Sequence, residues 1–233
     1  MSIIDLIKTT TPRYETFLPS TGEKTFFRPF NVKEQKHLLL AEQEEKESVI
    51  LKSICEIVEK CVDEVETASM LSVSDLEYLF CKVRAKSVSE VIHPTFTCPH
   101  TNEQVKIEVD LNDIEVKSST DSSKKTIQVN DSLSLTLRNP IVLDYIILGD
   151  DATTDQLAAF CIENIKTSDE VFEGSEISKE EKIEIIENLT AKTYEKIEQF
   201  IKDQPRVTSK CQYRTSDGKI REINVSGFKD FFV

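Results

Sequence analysis

The apolar residues of this 233-residue chain change their period more than once. From Asn31 to His93 they recur at helical spacing, and from Phe96 to Leu137 they alternate. After Pro140 the helical spacing returns and lasts to Pro205. That order predicts an α+β fold, with helical N-terminal and C-terminal regions and antiparallel β-hairpins. Four segments follow from it. Residues 1–93 carry an N-terminal arm, a hairpin and helices; 94–140 form an antiparallel β region with a knuckle hairpin. Residues 141–205 are helical, and 206–233 hold a second knuckle hairpin and an apolar tail. With 39% apolar and 30% charged residues, the four are expected to share one discontinuous globular unit.

Turn and cap chemistry places the elements. Residues 3–7 supply a short apolar face (Ile3, Ile4, Leu6, Ile7) before a Thr-Thr-Thr-Pro stop. A hairpin of residues 16–19 with 24–28 is predicted about Ser20-Thr21-Gly22, ended by Pro29. Asn31 with Glu34 reads as a capping box, and so do Ser74 with Glu77 and Ser178 with Glu181. Ile50, Ile54, Ile57, Val58 and Cys61 predict a helix over 48–63. Leu76, Leu79, Phe80 and Val83 predict the next, with Arg84 and Lys86 facing out. Strands about a turn at 99–103 and a hairpin across Asn130-Asp131 come next, separated by a polar loop at 118–125. Val142 to Leu148 is an apolar helix or strand stopped by Gly149. Helices are predicted over 154–166 and, as the longest, 179–202. A last hairpin turns at Ser216-Asp217-Gly218. The hairpins around Cys98 and Cys211 echo one another, each a cysteine, a polar knuckle and a β return, and are expected to pack together.

A net charge of −13, from 42 acidic and 29 basic residues, argues against nucleic acid or an anionic membrane as the main partner. It reads as solubility, or as an acidic face docking on a basic protein. No apolar run approaches the roughly 18 to 20 residues of a membrane span, and the first residues lack the features of a signal peptide. The six cysteines have no disulfide-scaffold spacing and are expected as free thiols. Cys55, Cys81 and Cys161 fall on apolar helix faces and are expected in the core.

Chemistry is sparse. Structural zinc wants four Cys or His ligands; Cys98, His100 and Cys211 are weak candidates. Thr101 and Arg214 stand where the second cysteine of each knuckle would be, so the pattern is at most a degenerate zinc ribbon and no cofactor is expected. Cys98 and His100 form the single thiol–imidazole pair. Five scattered glycines make no phosphate loop. No active site is expected.

Leu18-Pro19-Ser20-Thr21-Gly22, Arg28-Pro29-Phe30 and Val32-Lys33-Glu34 resemble, in order, the N-terminal signature of the T-even-type bacteriophage baseplate hub and hub-assembly protein family. Residues 75–80 (Asp-Leu-Glu-Tyr-Leu-Phe), 84–88 (Arg-Ala-Lys-Ser-Val), the knuckle at 96–98 and the closing residues 227–232 extend the likeness over nearly the whole chain. The resemblance implies a non-enzymatic phage tail protein acting in baseplate hub assembly. It would be an assembly chaperone or a hub subunit, in the host cytoplasm during assembly and in the virion tail baseplate. Its partners would be other hub or tail proteins, with no nucleic acid, membrane or small-molecule substrate. The expected contact residues are Arg28, Phe30, Tyr78, Arg84, Phe231 and Phe232. Two other readings stand beside it. A zinc-ribbon-like adaptor for nucleic acid or a regulatory protein would need bound metal and a basic face. An enzyme would need a reactive Cys98 beside His100.

Overall fold

The computed structural model describes residues 10–44, 46–117, 124–227 and 231. The apolar face at 3–7, most of the polar loop and Phe232 lie outside them. The fold is α+β, with small antiparallel sheets. Strands β1 (Tyr14–Phe17) and β2 (Lys24–Phe27) form the first hairpin, Thr16 opposite Thr25. Gly22 turns it at φ +74, a conformation that strains any residue with a Cβ. Asn31 opens α1 (Val32–Gln43) as its spacing predicts: its side chain accepts from the Lys33 and Glu34 amides, and the Glu34 carboxylate takes the Asn31 N–H at 2.7 Å. Helices α2 (Glu47–Cys61) and α3 (Val73–Ser87) follow.

Helix α3 begins earlier than the Ser74–Glu77 spacing predicts. Ser72 is the cap, accepting the Asp75 N–H at 3.1 Å. Asp75 is fixed in turn by the Ser72 hydroxyl at 2.8 Å and the Ser20 N–H at 2.9 Å. Glu77 is thereby carried inside the protein, 0% exposed. Its carboxylate accepts the Val207 N–H at 3.1 Å and faces Arg206 at 3.3 Å.

Strand β3 (Val91–Ile92) pairs with β6 (Val109–Asp110), and β4 (Thr95–Thr97) with β5 (Gln104–Lys106). Strand β7 (Glu115–Lys117) joins β12 (Arg206–Arg214) and β13 (Ile220–Ser226) in the order β13-β12-β7. A four-stranded sheet runs β11-β10-β9-β8, from Val171–Glu173, Ile162–Thr167, Leu133–Arg138 and Lys124–Asn130. Helices α4 (Val142–Leu148), α5 (Thr154–Phe160), α6 (Lys179–Glu187) and α7 (Ala191–Lys202) complete the described chain.

Two predicted helices are shorter than their apolar spacing implied. The one over 154–166 stops at Phe160, because Ile162 and Ile165 pair with Leu137 and Leu135 and bury against the sheet. The one over 179–202 is two helices. Asn188 ends α6, its side chain donating to the Glu184 carbonyl at 2.8 Å, and Thr190 caps α7 by accepting the Thr193 N–H at 3.3 Å.

The described residues form three apolar cores. The first lies under the β1–β2 hairpin among α1, α2 and α3, around Ile54, Leu76 and Phe80. The third lies between β8–β10 and α5–α7, around Leu135, Ile197 and Phe200. The second draws on both ends of the chain: Tyr78 and Cys81 from α3, Cys98, Val109 and Leu111 from the first knuckle, and Val207, Tyr213, Val225 and Phe231 from the C-terminal strands.

One local plan is built twice. Arg28 and Arg138 each follow a hairpin and fork onto a carboxylate six residues on, Glu34 at 2.7 and 3.0 Å and Asp144 at 2.7 and 2.9 Å. Each carboxylate also accepts the N–H of its helix cap, Asn31 or Ile141. Each arginine's Nη2 donates to a helix-end carbonyl, of Lys60 at 2.9 Å or Phe160 at 3.0 Å. Each arginine's main-chain N–H donates to the next carbonyl, of Cys61 or Cys161, at 2.9 Å. A helix capped by Ser72 or Thr190 and then a knuckle hairpin complete each half.

Candidate functional site

The two knuckles meet. In the first, Cys98 N–H donates to the Glu103 carbonyl at 2.9 Å, and Asn102 turns at φ +56. In the second, Thr215 N–H donates to the Lys219 carbonyl at 3.1 Å, and Gly218 turns at φ +78. Phe96 packs edge-on against Tyr213, with centroids 4.8 Å apart at 87°. Cys98 Sγ lies 3.4 Å from the Tyr213 hydroxyl. Glu103 clasps both turns, accepting the Thr101 hydroxyl at 2.9 Å and the Ser216 N–H at 3.0 Å. Arg221 forks onto Asp217 at 2.7 and 2.9 Å and reaches the Thr215 hydroxyl. The Thr215 hydroxyl and Arg221 hold the Asp217 carboxyl well below the usual carboxylate range.

This clasp decides the fate of the candidate ligands. Burial pushes the Cys98 thiol up, but hydrogen bonds from the Thr101 and Tyr213 hydroxyls and the His100 and Thr101 amides outweigh it and bring it down to about 7. His100 contributes its main-chain N–H there, and its side chain is exposed. Cys211 is buried against the Ser209 hydroxyl, 3.8 Å away. Cys98, His100 and Cys211 therefore do not converge. Among the described residues, no three His, Cys, Asp or Glu side chains are grouped to hold a metal ion. All six cysteines are unpaired and buried.

The expected contact residues are mostly used inside the chain. Arg28 is locked in its clamp, and Phe30, Tyr78 and Phe231 are 8, 6 and 1% exposed. They belong to the cores, because the aromatic rings are the largest apolar surfaces their elements have to bury. Arg84, expected to face out, is half-buried, and its Nη1 is enclosed with no hydrogen-bond partner among the described residues. Burial lowers its pKa. Phe232 lies outside the described residues. The sequence reading missed Arg138, Asp144, Tyr213, Asp217 and Arg221. For the first two a signal existed: an arginine, a proline and then a carboxylate at the sixth position, in both halves.

Two of the recesses among the described residues bear on docking. One lies where the halves meet, lined by Leu51, Val142, Tyr145 and Leu157. At its rim the Asp150 carboxylate accepts the Ser48 and Glu47 amides at 2.9 and 3.0 Å, capping α2 from the other half. The other is a groove of about 500 Å³ between β1 and α3. Among the described residues, no helix is long and apolar enough to cross a membrane.

A family model described as T4 bacteriophage base plate protein matches residues 11–233, nearly the whole chain. No curated protein and no solved structure matches it.

Proposed function

The chain belongs to the T4 bacteriophage base plate protein family, structural or assembly proteins of the phage baseplate, and on that premise we propose that it acts in building the baseplate hub. It does so without catalysis, as an assembly factor or as a hub subunit, by docking on other hub or tail proteins. The observation that carries this reading is the extent of the family match, residues 11–233. A likeness over a whole fold speaks for a shared body and shared surfaces more than for a grafted catalytic site. The structural character of the family supports a role other than an enzyme.

Of the expected contacts, Tyr78 serves through the groove it lines and Arg84 through the part of its half-buried side chain that reaches the surface. Arg28, Phe30 and Phe231 act indirectly, by holding the surfaces in shape. Phe232 is a proposed contact beside them.

Co-expression with the hub proteins of its phage, followed by affinity capture and mass measurement, tests the reading. A stoichiometric complex that is also present in purified tails makes the chain a hub subunit. Capture of a hub protein from extracts, with the chain absent from purified tails, makes it an assembly factor. Failure to hold any hub protein overturns the proposal.

A further inference from the structure

We propose that the outer edge of β1 is a strand-addition site for an extended, acidic segment of a partner protein. The inference deepens the docking reading and rests on it for the partner being a baseplate protein.

The phase of the first hairpin turns that edge away from β2. Leu18 N–H donates to the Glu23 carbonyl at 2.9 Å. By the alternation of an antiparallel ladder, Thr16 and Tyr14 bond to β2, and the main-chain groups of Glu15 and Phe17 point away from it. Among the described residues, strand β1 has β2 as its sheet neighbour and none on the other side. A row of free N–H and C=O groups is a template for another strand. All four β1 residues line the groove, and the wall opposite is one face of α3, Tyr78, Lys82 and Lys86 at four-residue spacing.

The second half shows what such a space holds when it is filled by the chain itself. There α7 packs along β8, the strand equivalent to β1, and Lys125 lies over the Phe200 ring at 5.9 Å. In the first half α3 reaches β1 through side-chain tips. The Phe17 and Tyr78 rings stand 5.1 Å apart, and Lys86 lies 5.5 Å from the Tyr14 ring. The groove remains between them.

Charge sets the class of occupant. Lys24, Lys82 and Lys86 line the groove with Glu15 as the carboxylate among its lining residues, while Glu90, Asp110 and Asp113 act on the two α3 lysines from outside it. Lys24 is paired with Glu15 and Lys86 with Glu90. Lys82 Nζ is held by the carbonyls of Leu111 and Asn112, each at 3.1 Å, and lies 5.1 Å from the Tyr78 ring. A strand laid on β1 points alternate side chains to one face. A segment with acidic residues on one set would thus bring them to one side of the groove, within reach of lysines that line it.

The full-length protein is titrated against a fluorescein-labelled peptide of alternating aspartate and valine, followed by anisotropy, with an alternating lysine–valine peptide as control. Glu15→Pro removes an N–H that the hairpin does not use and blocks the edge. Lys82→Glu reverses the charge. The expected result is binding of the acidic peptide alone, weakened at least about tenfold by each variant, with far-ultraviolet circular dichroism unchanged. No binding, equal binding of the lysine peptide, or full binding by a folded Glu15→Pro protein overturns the proposal. A dimer of the wild type that Glu15→Pro abolishes would make the occupant a second copy and overturn it too. Hub capture surviving in a protein whose groove takes no peptide would sink the groove and spare the hub reading. Peptide binding without any hub partner would do the reverse.

Discussion

Glu34 shows how one carboxylate can close a local structure. Burial pushes its pKa up, but the Arg28 fork and the Asn31 amide outweigh burial and hold it below its ordinary 4.5. A carboxyl depressed in the folded state contributes stability in full above its unfolded pKa, and loses it as pH falls through the folded value. Glu34→Gln is therefore expected to cost about 1–3 kcal/mol at neutral pH. The gap from wild type should narrow below about pH 4.5; urea melts at pH 7 and pH 3 check this, and an undiminished gap at pH 3 would contradict it. Cys98 has the same sign. Its folded value of about 7 against an ordinary 9.0 makes the knuckle gain stability as pH rises from 7 to 9. Ultraviolet titration of the thiolate should show a half-point near 7 that Cys98→Ser removes; a half-point near 9 would refute the hydrogen-bonded clasp. The Asn31–Glu34 cap was legible because its partners are three residues apart. The Cys98 clasp was not, since Tyr213 is 115 residues away and no local spacing encodes it.

At the scale of elements, periodicity found the helices and strands, and caps decided their ends. The hairpin turns at Gly22, Asn130-Asp131 and Gly218 stood where the turn residues place them. Helix lengths were misread where apolar spacing ran on past a cap. Thr190 breaks 179–202 into two, and Ile162 turns 154–166 into a strand because the sheet offers Leu137 as a partner. The tail shows the same limit. Read locally, residues 228–233 were an exposed apolar end suited to contacts, yet Phe231 is 1% exposed in the second core beside residues from three other segments. Phe231→Ala should accordingly cost about 3–5 kcal/mol. Chemical denaturation of the isolated protein measures it, and a loss under about 0.5 kcal/mol would place the ring outside the core.

For the molecule as a whole, the duplicated plan invites the idea of two domains, and the second core argues against it. Its walls come from α3 and the first knuckle on one side and from Val207, Cys211, Tyr213, Val225 and Phe231 on the other. Glu77 sits at the seam, 0% exposed, with the Val207 N–H as its partner. Asp150 caps α2, and the Val142 N–H donates to the Leu71 carbonyl at 3.1 Å. A piece comprising residues 1–117 would keep most of the first core, losing Val142 from it, but would expose Tyr78, Cys98, Val109 and Leu111 and strand the Glu77 carboxylate beside apolar surface, an arrangement costing several kcal/mol. We expect pieces 1–117 and 118–233 each to lack a cooperative melt when made alone, and to recover one when co-expressed as a complex. Glu77→Ala in the intact chain, leaving the Val207 amide without its acceptor, should lower stability by about 2–4 kcal/mol while keeping a single transition. A sharp melt for 1–117 alone, or two transitions in Glu77→Ala, would show instead that the halves fold separately and that the seam is only a contact between them.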